Sequence, residues 1–317
     1  RVIRDGMTRD LVLGLEVVLA DGEVVSSMNQ LIKNNTGYDL RQIFIGSEGT
    51  LGVITRLVLR LYEKPRSHSM AVVAVDNFAD VAQLLKHMDG ALGGTLSAFE
   101  VMWQNFYRLV TSPPAASRPP LAQDYPYYVL LEAQGGNAEL DSQRFQEALE
   151  EAFERGLLAD AAVAQSESDC ADFWAIRDDV EQVFNYGVPV VFDVSLPLPA
   201  MQDYVVAVER GLAAALPGST AWIFGHLGDG NLHLLVQTDG GDALAHRAEI
   251  ERQVYTPLQG IAGSISAEHG IGIEKRPWLS ISRSAEELRV MRRLKDTFDP
   301  QGILNPGKLF PEPGSGA

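Results

Sequence analysis

Two short apolar runs, residues 222–227 and 232–237, flank Gly228-Asp229-Gly230-Asn231, four residues that favour turns and tolerate positive φ. Such a pattern folds the chain back on itself as an antiparallel hairpin. If the four residues form the loop, Leu227 faces Leu232 and His226 faces His233. Cross-strand neighbours on one face have Cβ atoms about 4.5–5.5 Å apart. Two imidazoles at that spacing can share one ion through bonds of roughly 2.0–2.1 Å. Downstream, Glu268-His269-Gly270-Ile271-Gly272 supplies a carboxylate, Glu268, that would complete a His-His-Glu set with open positions. Imidazole plus carboxylate suits zinc, and also manganese or iron. The plainer alternative is a hairpin whose histidines only hydrogen-bond; the presence of Glu268-His269 favours the metal.

Composition narrows the partners. The chain has 317 residues, room for two domains or one with a large insertion, and 46% of them are hydrophobic. No apolar run approaches the ~20 residues of a membrane span. The net charge, 26 − 42 = −16, argues against nucleic acid and anionic membranes as partners. A single cysteine, Cys170, excludes an internal disulfide framework and fits a reducing compartment such as the cytoplasm. Cys170 itself reads as a small buried hydrophobe. No signal peptide is visible, and the chain opens at Arg1 within what reads as a strand, so a fragment of something longer is expected.

Residues 11–25 read as a hairpin turning at Ala20-Asp21-Gly22-Glu23, and 52–61 as a further apolar strand. Pro65 marks a boundary. Beyond it, strands are expected at 71–75, 127–132 and 190–196. Helices are expected at 78–87, 138–155, 168–184, 201–216, 243–260 and 285–298. Residues 111–126 hold five prolines and read as an exposed loop, and 314–317 as a disordered end. This order predicts an α+β fold, with an antiparallel sheet covered on one face by helices.

Three segments resemble a known family. Asp39-Leu40-Arg41-Gln42-Ile43-Phe44-Ile45-Gly46-Ser47-Glu48-Gly49-Thr50-Leu51-Gly52-Val53-Ile54-Thr55 resembles the second half of the FAD-binding domain of vanillyl-alcohol-oxidase-type (VAO/PCMH) flavoproteins. Residues 225–233 and 266–272, with 298–308 (Phe-Asp-Pro-Gln-Gly-Ile-Leu-Asn-Pro-Gly-Lys), are similar to the C-terminal half of their 2-hydroxy-acid dehydrogenase branch. That branch includes D-lactate, glycolate and D-2-hydroxyglutarate dehydrogenases. The resemblance implies the C-terminal part of an FAD-binding domain at 1–64, a substrate (cap) domain with a metal site at 65–270, and a segment at 271–317 returning to the flavin domain. It implies oxidation of a D-2-hydroxy acid to the 2-oxo acid by hydride transfer to FAD. His226, His233 and Glu268 would hold the metal, His269 would take the hydroxyl proton, and Arg177, in Trp174-x-x-Arg177, would clamp the carboxylate. Glu48, Gly49, Gly52, Ile54 and Asn305 would approach the flavin. The partners implied are a small 2-hydroxy acid and an electron acceptor, a quinone or an electron-transfer flavoprotein; a homodimer is allowed.

The chain also departs from the family. The glycine-rich pyrophosphate loop would lie N-terminal to Arg1, so this chain alone is expected to bind FAD weakly or not at all. In the hydroxyglutarate branch a threonine stands four residues after the arginine; here it is Glu181, expected to share a helix face with Arg177. A lysine and an asparagine of that branch fall at Val191 and Leu235. Each change removes a donor, so a substrate with a single carboxylate is expected. Two other readings compete: a His-His-Glu metallohydrolase, disfavoured by the absence of His-Glu-x-x-His, and a non-catalytic cap or subunit without flavin of its own.

Overall fold

A computed structural model describes residues 2–311, so the end expected to be disordered at 314–317 lies outside the described residues. The described residues divide into two compact units, Gly6–Glu63 with the segment 264–311, and Lys64–Gly263 with the segment 2–5. Val2–Asp5 is a helical turn rather than the expected strand.

In the smaller unit β1 (Val12–Val18), β2 (Val24–Ser27) and β3 (Val53–Leu59) form an antiparallel sheet in the order β2-β1-β3. The expected hairpin forms with Val18 opposite Val24. Val12, Leu15 and Val17 of β1 bury against Phe44 and Leu51, with Phe298 packed edge-on to Phe44 at 5.4 Å. Phe298 ends the helix Ala285–Phe298, whose start is fixed by a capping box between Ser284 and Glu287.

The larger unit is built on seven antiparallel strands: β4 (Ser67–Val75), β5 (Leu96–Trp103), β6 (Tyr127–Gly135), β7 (Asp160–Val163), β8 (Val190–Ser195), β9 (Thr220–His226) and β10 (Asn231–Gln237). Their order is β7-β4-β6-β5-β9-β10-β8. Helices cover this sheet on both faces, not on one as the sequence led us to expect. On one face Met102, Tyr128, Leu130, Trp222 and Phe224 meet the helices Gln104–Thr111 and Glu167–Asp178. On the other, the helices Phe78–Leu92, Ala138–Glu154 and Met201–Ala215 bury their own apolar stripes. Phe78 meets Trp103 and Tyr127 there at 5.8 and 5.7 Å. The physical reason is legible in β6, where Tyr-Tyr-Val-Leu-Leu offers both faces apolar side chains, as strands buried on both sides do. Each fully buried large side chain contributes about 1.5–3 kcal/mol.

The helix expected at 168–184 breaks. The α-helix ends at Asp178, Asp179 leaves helical geometry at ψ 46°, and Val180–Tyr186 continues as a 3-10 helix. Two consecutive aspartates at a helix C-terminus oppose the helix dipole, which favours stopping there. Arg177 and Glu181 therefore do not share an α-helical face, and Arg177 turns to a different carboxylate, Glu100. Among the described residues no helix is long and apolar enough to cross a membrane.

Candidate active site

The histidine hairpin forms, in a register two residues away from the one expected. His233 lies opposite Phe224, and His226 lies opposite Glu100 on β5. The turn is again four residues but starts one earlier: Leu227–Asp229 makes a 3-10 turn and Gly230 closes it at φ 78°. Gly225 makes the register feasible, because a Cβ there would stand 2.3 Å from the Asn231 carbonyl oxygen. A two-residue shift preserves the face of every side chain, whereas a one-residue shift would reverse it. His226 and His233 thus become diagonal neighbours on one face, with ring centroids 5.2 Å apart and an interplanar angle of 85°. A ring nitrogen of each lies within 4.8 Å of the other. Small side-chain rotations bring such a pair within the roughly 4.2 Å that two bonds of about 2.1 Å span.

Each histidine has a buried carboxylate directly across its strand. Glu100, 3% exposed, brings Oε1 to 2.7 Å from His226 Nδ1. Its Oε2 accepts a hydrogen bond from Arg177 Nε at 2.9 Å. Asp193 on β8, wholly buried, lies opposite His233, its Oδ1 4.0 Å from Nδ1. Burial works to raise the Glu100 pKa, but the hydrogen bond with His226 and the charge of Arg177 outweigh it and hold the carboxyl below its ordinary value. An ionised Glu100 accepts the Nδ1 proton of His226 and so assigns the lone pair to Nε2. That atom lies 3.3 Å from Arg177 Nη2. Metal-bound histidines are commonly oriented by a carboxylate in this way.

Arg177 is 7% exposed, with its guanidinium 4.8 Å from the Phe224 ring centroid. One turn back, Trp174 Nε1 donates to Glu132 on β6 at 3.2 Å. Trp-x-x-Arg therefore fastens one helix face to buried carboxylates on two adjacent strands. Sequence reasoning missed Glu100 and Glu132 and used Asp193 only to align its neighbours. The signal was present: each is a lone carboxylate inside an apolar strand run. Cys170 is buried, which pushes its thiol up, away from the reactive range.

The other site residues lie in the smaller unit. Glu48, at φ 53°, accepts from the backbone N–H groups of Ile271 and Gly272 at 2.7 and 2.8 Å. It thereby braces the loop that carries Glu268 and His269, both exposed. Gly270 must be glycine: it sits at φ 78°, and a Cβ would approach Glu48 Oε1 to 2.9 Å. Asn305 Nδ2 donates to the Glu48 carbonyl at 2.5 Å, and Gly49 lies beside it at φ 68°. Glu48, Gly49 and Asn305 are thus brought together. Gly52 instead packs tightly on Val17, where a Cβ would meet Cγ2 at 2.5 Å, and Ile54 stands opposite Val17 on β3.

Residues 64–309 match the model of the C-terminal domain of FAD-linked oxidases. The chain belongs to the FAD-linked oxidase family. Similar members include the mitochondrial D-2-hydroxyglutarate dehydrogenase of Bos taurus, 41% identical over 98% of this chain and 56% of that protein. A putative mitochondrial D-lactate dehydrogenase of Schizosaccharomyces pombe is 36% identical over 97% of this chain and 60% of that protein. The chain spans little more than half the length of these curated relatives. Its fold is shared with solved structures of much lower sequence identity. A p-cresol methylhydroxylase with bound substrate aligns with TM-score 0.70 and 12% identity, over 95% of this chain and 65% of that one. The 4-ethylphenol oxidase of Gulosibacter chungangensis aligns with TM-score 0.68 and 18% identity, over 96% and 66%. The α+β reading and the family resemblance both hold.

Proposed function

We propose that this FAD-linked oxidase oxidises a D-2-hydroxy acid to the 2-oxo acid, with FAD as oxidant and a divalent metal ion at His226, His233 and Glu268. The observation that carries this reading is the repeated pairing of a histidine with a buried carboxylate, His226 with Glu100 and His233 with Asp193, on the sheet face that also holds Arg177. The donor set fits the metal: two close imidazoles, one already held by a carboxylate with its Nε2 lone pair directed away. The left-handed Glu48, Gly49 and Asn305 fit a flavin contact, since a Cβ on Gly49 would meet only the Asn305 amide, at 3.8 Å.

When bound, FAD would supply a two-electron acceptor and the ion would polarise the substrate hydroxyl as a Lewis acid. His269 would take the hydroxyl proton at a ring nitrogen as the C2 hydride leaves. Arg177 would donate to the carboxylate, exchanging its contact with His226 for the substrate. Glu100 and Asp193 would keep both histidines oriented.

The tail of the substrate would be apolar or neutral. Val191 and Leu235 face one another across β8 and β10 on the strand face of His233, and neither offers a donor to a second carboxylate.

Manganese titration followed by electron paramagnetic resonance tests the metal: His226→Ala and His233→Ala should each weaken binding at least about 100-fold. Unchanged affinity in both would refute the site. Anaerobic flavin bleaching in the whole protein tests the chemistry, with D-lactate expected to outpace D-2-hydroxyglutarate; the reverse order would overturn the substrate class.

A further inference from the structure

Asn231, first residue of β10, is 3% exposed, and among the described residues neither its Oδ1 nor its Nδ2 has a hydrogen-bond partner. A buried carboxamide with both ends unsatisfied is unusual, because it loses its water contacts without recovering them. Its backbone is well held. The N–H is accepted by Asp229 Oδ1 at 3.2 Å, and Asn231 lies opposite Ser195 on β8. The side chain falls on the strand face of His233, two residues on, and the turn that carries it starts directly after His226. Among the described residues no group hydrogen-bonds to this amide, and it shares the strand face of His233.

We propose that Asn231 is a substrate-binding residue: its Nδ2 donates to a carboxylate oxygen of the 2-hydroxy acid, and its Oδ1 accepts the 2-hydroxyl hydrogen in the resting complex. This rests on the 2-hydroxy-acid reading above. A primary amide presents one donor and one acceptor across a single carbon. A 2-hydroxy acid presents the complementary pair on adjacent carbons, a carboxylate acceptor and a hydroxyl donor. The hydroxyl hydrogen rotates about its C–O bond, so it turns from Oδ1 toward the base when the proton departs. The bond to Oδ1 therefore belongs to the ground state alone, and the bond to Nδ2 is held equally before and during the reaction. Interactions of these two kinds lower KM without raising kcat. The 2-oxo product has lost the hydroxyl hydrogen, so Oδ1 loses its partner and the product is held less tightly than the substrate.

Asn231→Leu tests this, since leucine has nearly the same shape and no polar atoms. Ligand-free melting of the whole protein should rise by about 2–4 °C, because an unsatisfied amide is replaced by an apolar group. KM for D-lactate should rise about tenfold or more with no fall in kcat, while inhibition by pyruvate should weaken less. A lower melting temperature would mean that the amide is satisfied within the fold, and would overturn the proposal without touching the proposed activity. A raised melting temperature with unchanged KM would overturn it equally. If the wild-type protein neither binds nor oxidises any 2-hydroxy acid, the activity itself is wrong, and the wild type alone reveals that.

Discussion

β10 and β3 are both seven-residue strands rich in apolar side chains, and they are buried in opposite ways. β10 is buried at every position, whereas β3 is exposed at six of seven, with Val53 at 52% and Leu57 at 46%. Their composition would not separate them. The difference is what lies above and below: β10 sits inside a sheet sandwiched between helices, while β3 flanks β1 at the edge of a three-stranded sheet. An apolar alternating run makes a strand, but only layers supplied from far along the chain decide what the strand buries.

That contrast predicts a graded response to substitution. Phe106→Ala, in the larger unit where Phe106 stacks on Phe224 at 4.2 Å, should cost about 3–5 kcal/mol. Hydrogen exchange at the β9 and β10 amides would read this directly, and a loss below about 1 kcal/mol would break the picture of a core continuous across the sheet.

Next comes Asp299→Ala in the smaller unit, at about 3 kcal/mol. Asp299 caps the helix Ala285–Phe298, accepting from Ile303 and Leu304 N–H groups at 3.0 and 2.8 Å and from Lys295 Nζ. Burial would raise its pKa, but these hydrogen bonds and the lysine charge hold it below the ordinary carboxylate value. Because the folded pKa is depressed, this contribution is present above about pH 4 and is lost as the pH falls through the folded value. Denaturant melts should show the gap between wild type and variant closing below about pH 4; a gap independent of pH would assign the effect to packing instead.

Glu48→Gln should cost less, about 1–2 kcal/mol, since one acceptor remains for the two N–H groups it braces. Faster exchange confined to the Ile271 and Gly272 amides is the expected readout. Val53→Thr on β3 should stay within about 0.5 kcal/mol. A larger destabilisation, measured by urea unfolding, would show that the exposed face of β3 is covered in solution.

Parts of the site were legible because they are local. Turn formers between two apolar runs dictated a hairpin at residues 220–237, and the apolar spacing expected at 285–298 forms the helix Ala285–Phe298. Glu100 was not legible as a partner of His226, because 126 residues separate them and only strand pairing brings them together. Nor was the break at Asp179, since the apolar spacing of Phe173, Ile176, Val180 and Val183 continues across it. Periodicity marks which side chains face the core, whether or not the backbone between them remains an α-helix.

The sequence by itself determined the inventory: an α+β chain with a histidine hairpin, a Glu-His loop and a flavoprotein signature, because turn chemistry, hydrophobic period and motif order are properties of neighbouring residues. Tertiary structure alone decided the two-residue register of that hairpin, the arrival of Glu100 and Asp193 beside its histidines, and the burial of the Asn231 amide without a hydrogen-bond partner among the described residues. Those outcomes depend on which strands pair and how closely their backbones pass. Such long-range contacts are settled by packing the whole sheet at once, and no local window contains them.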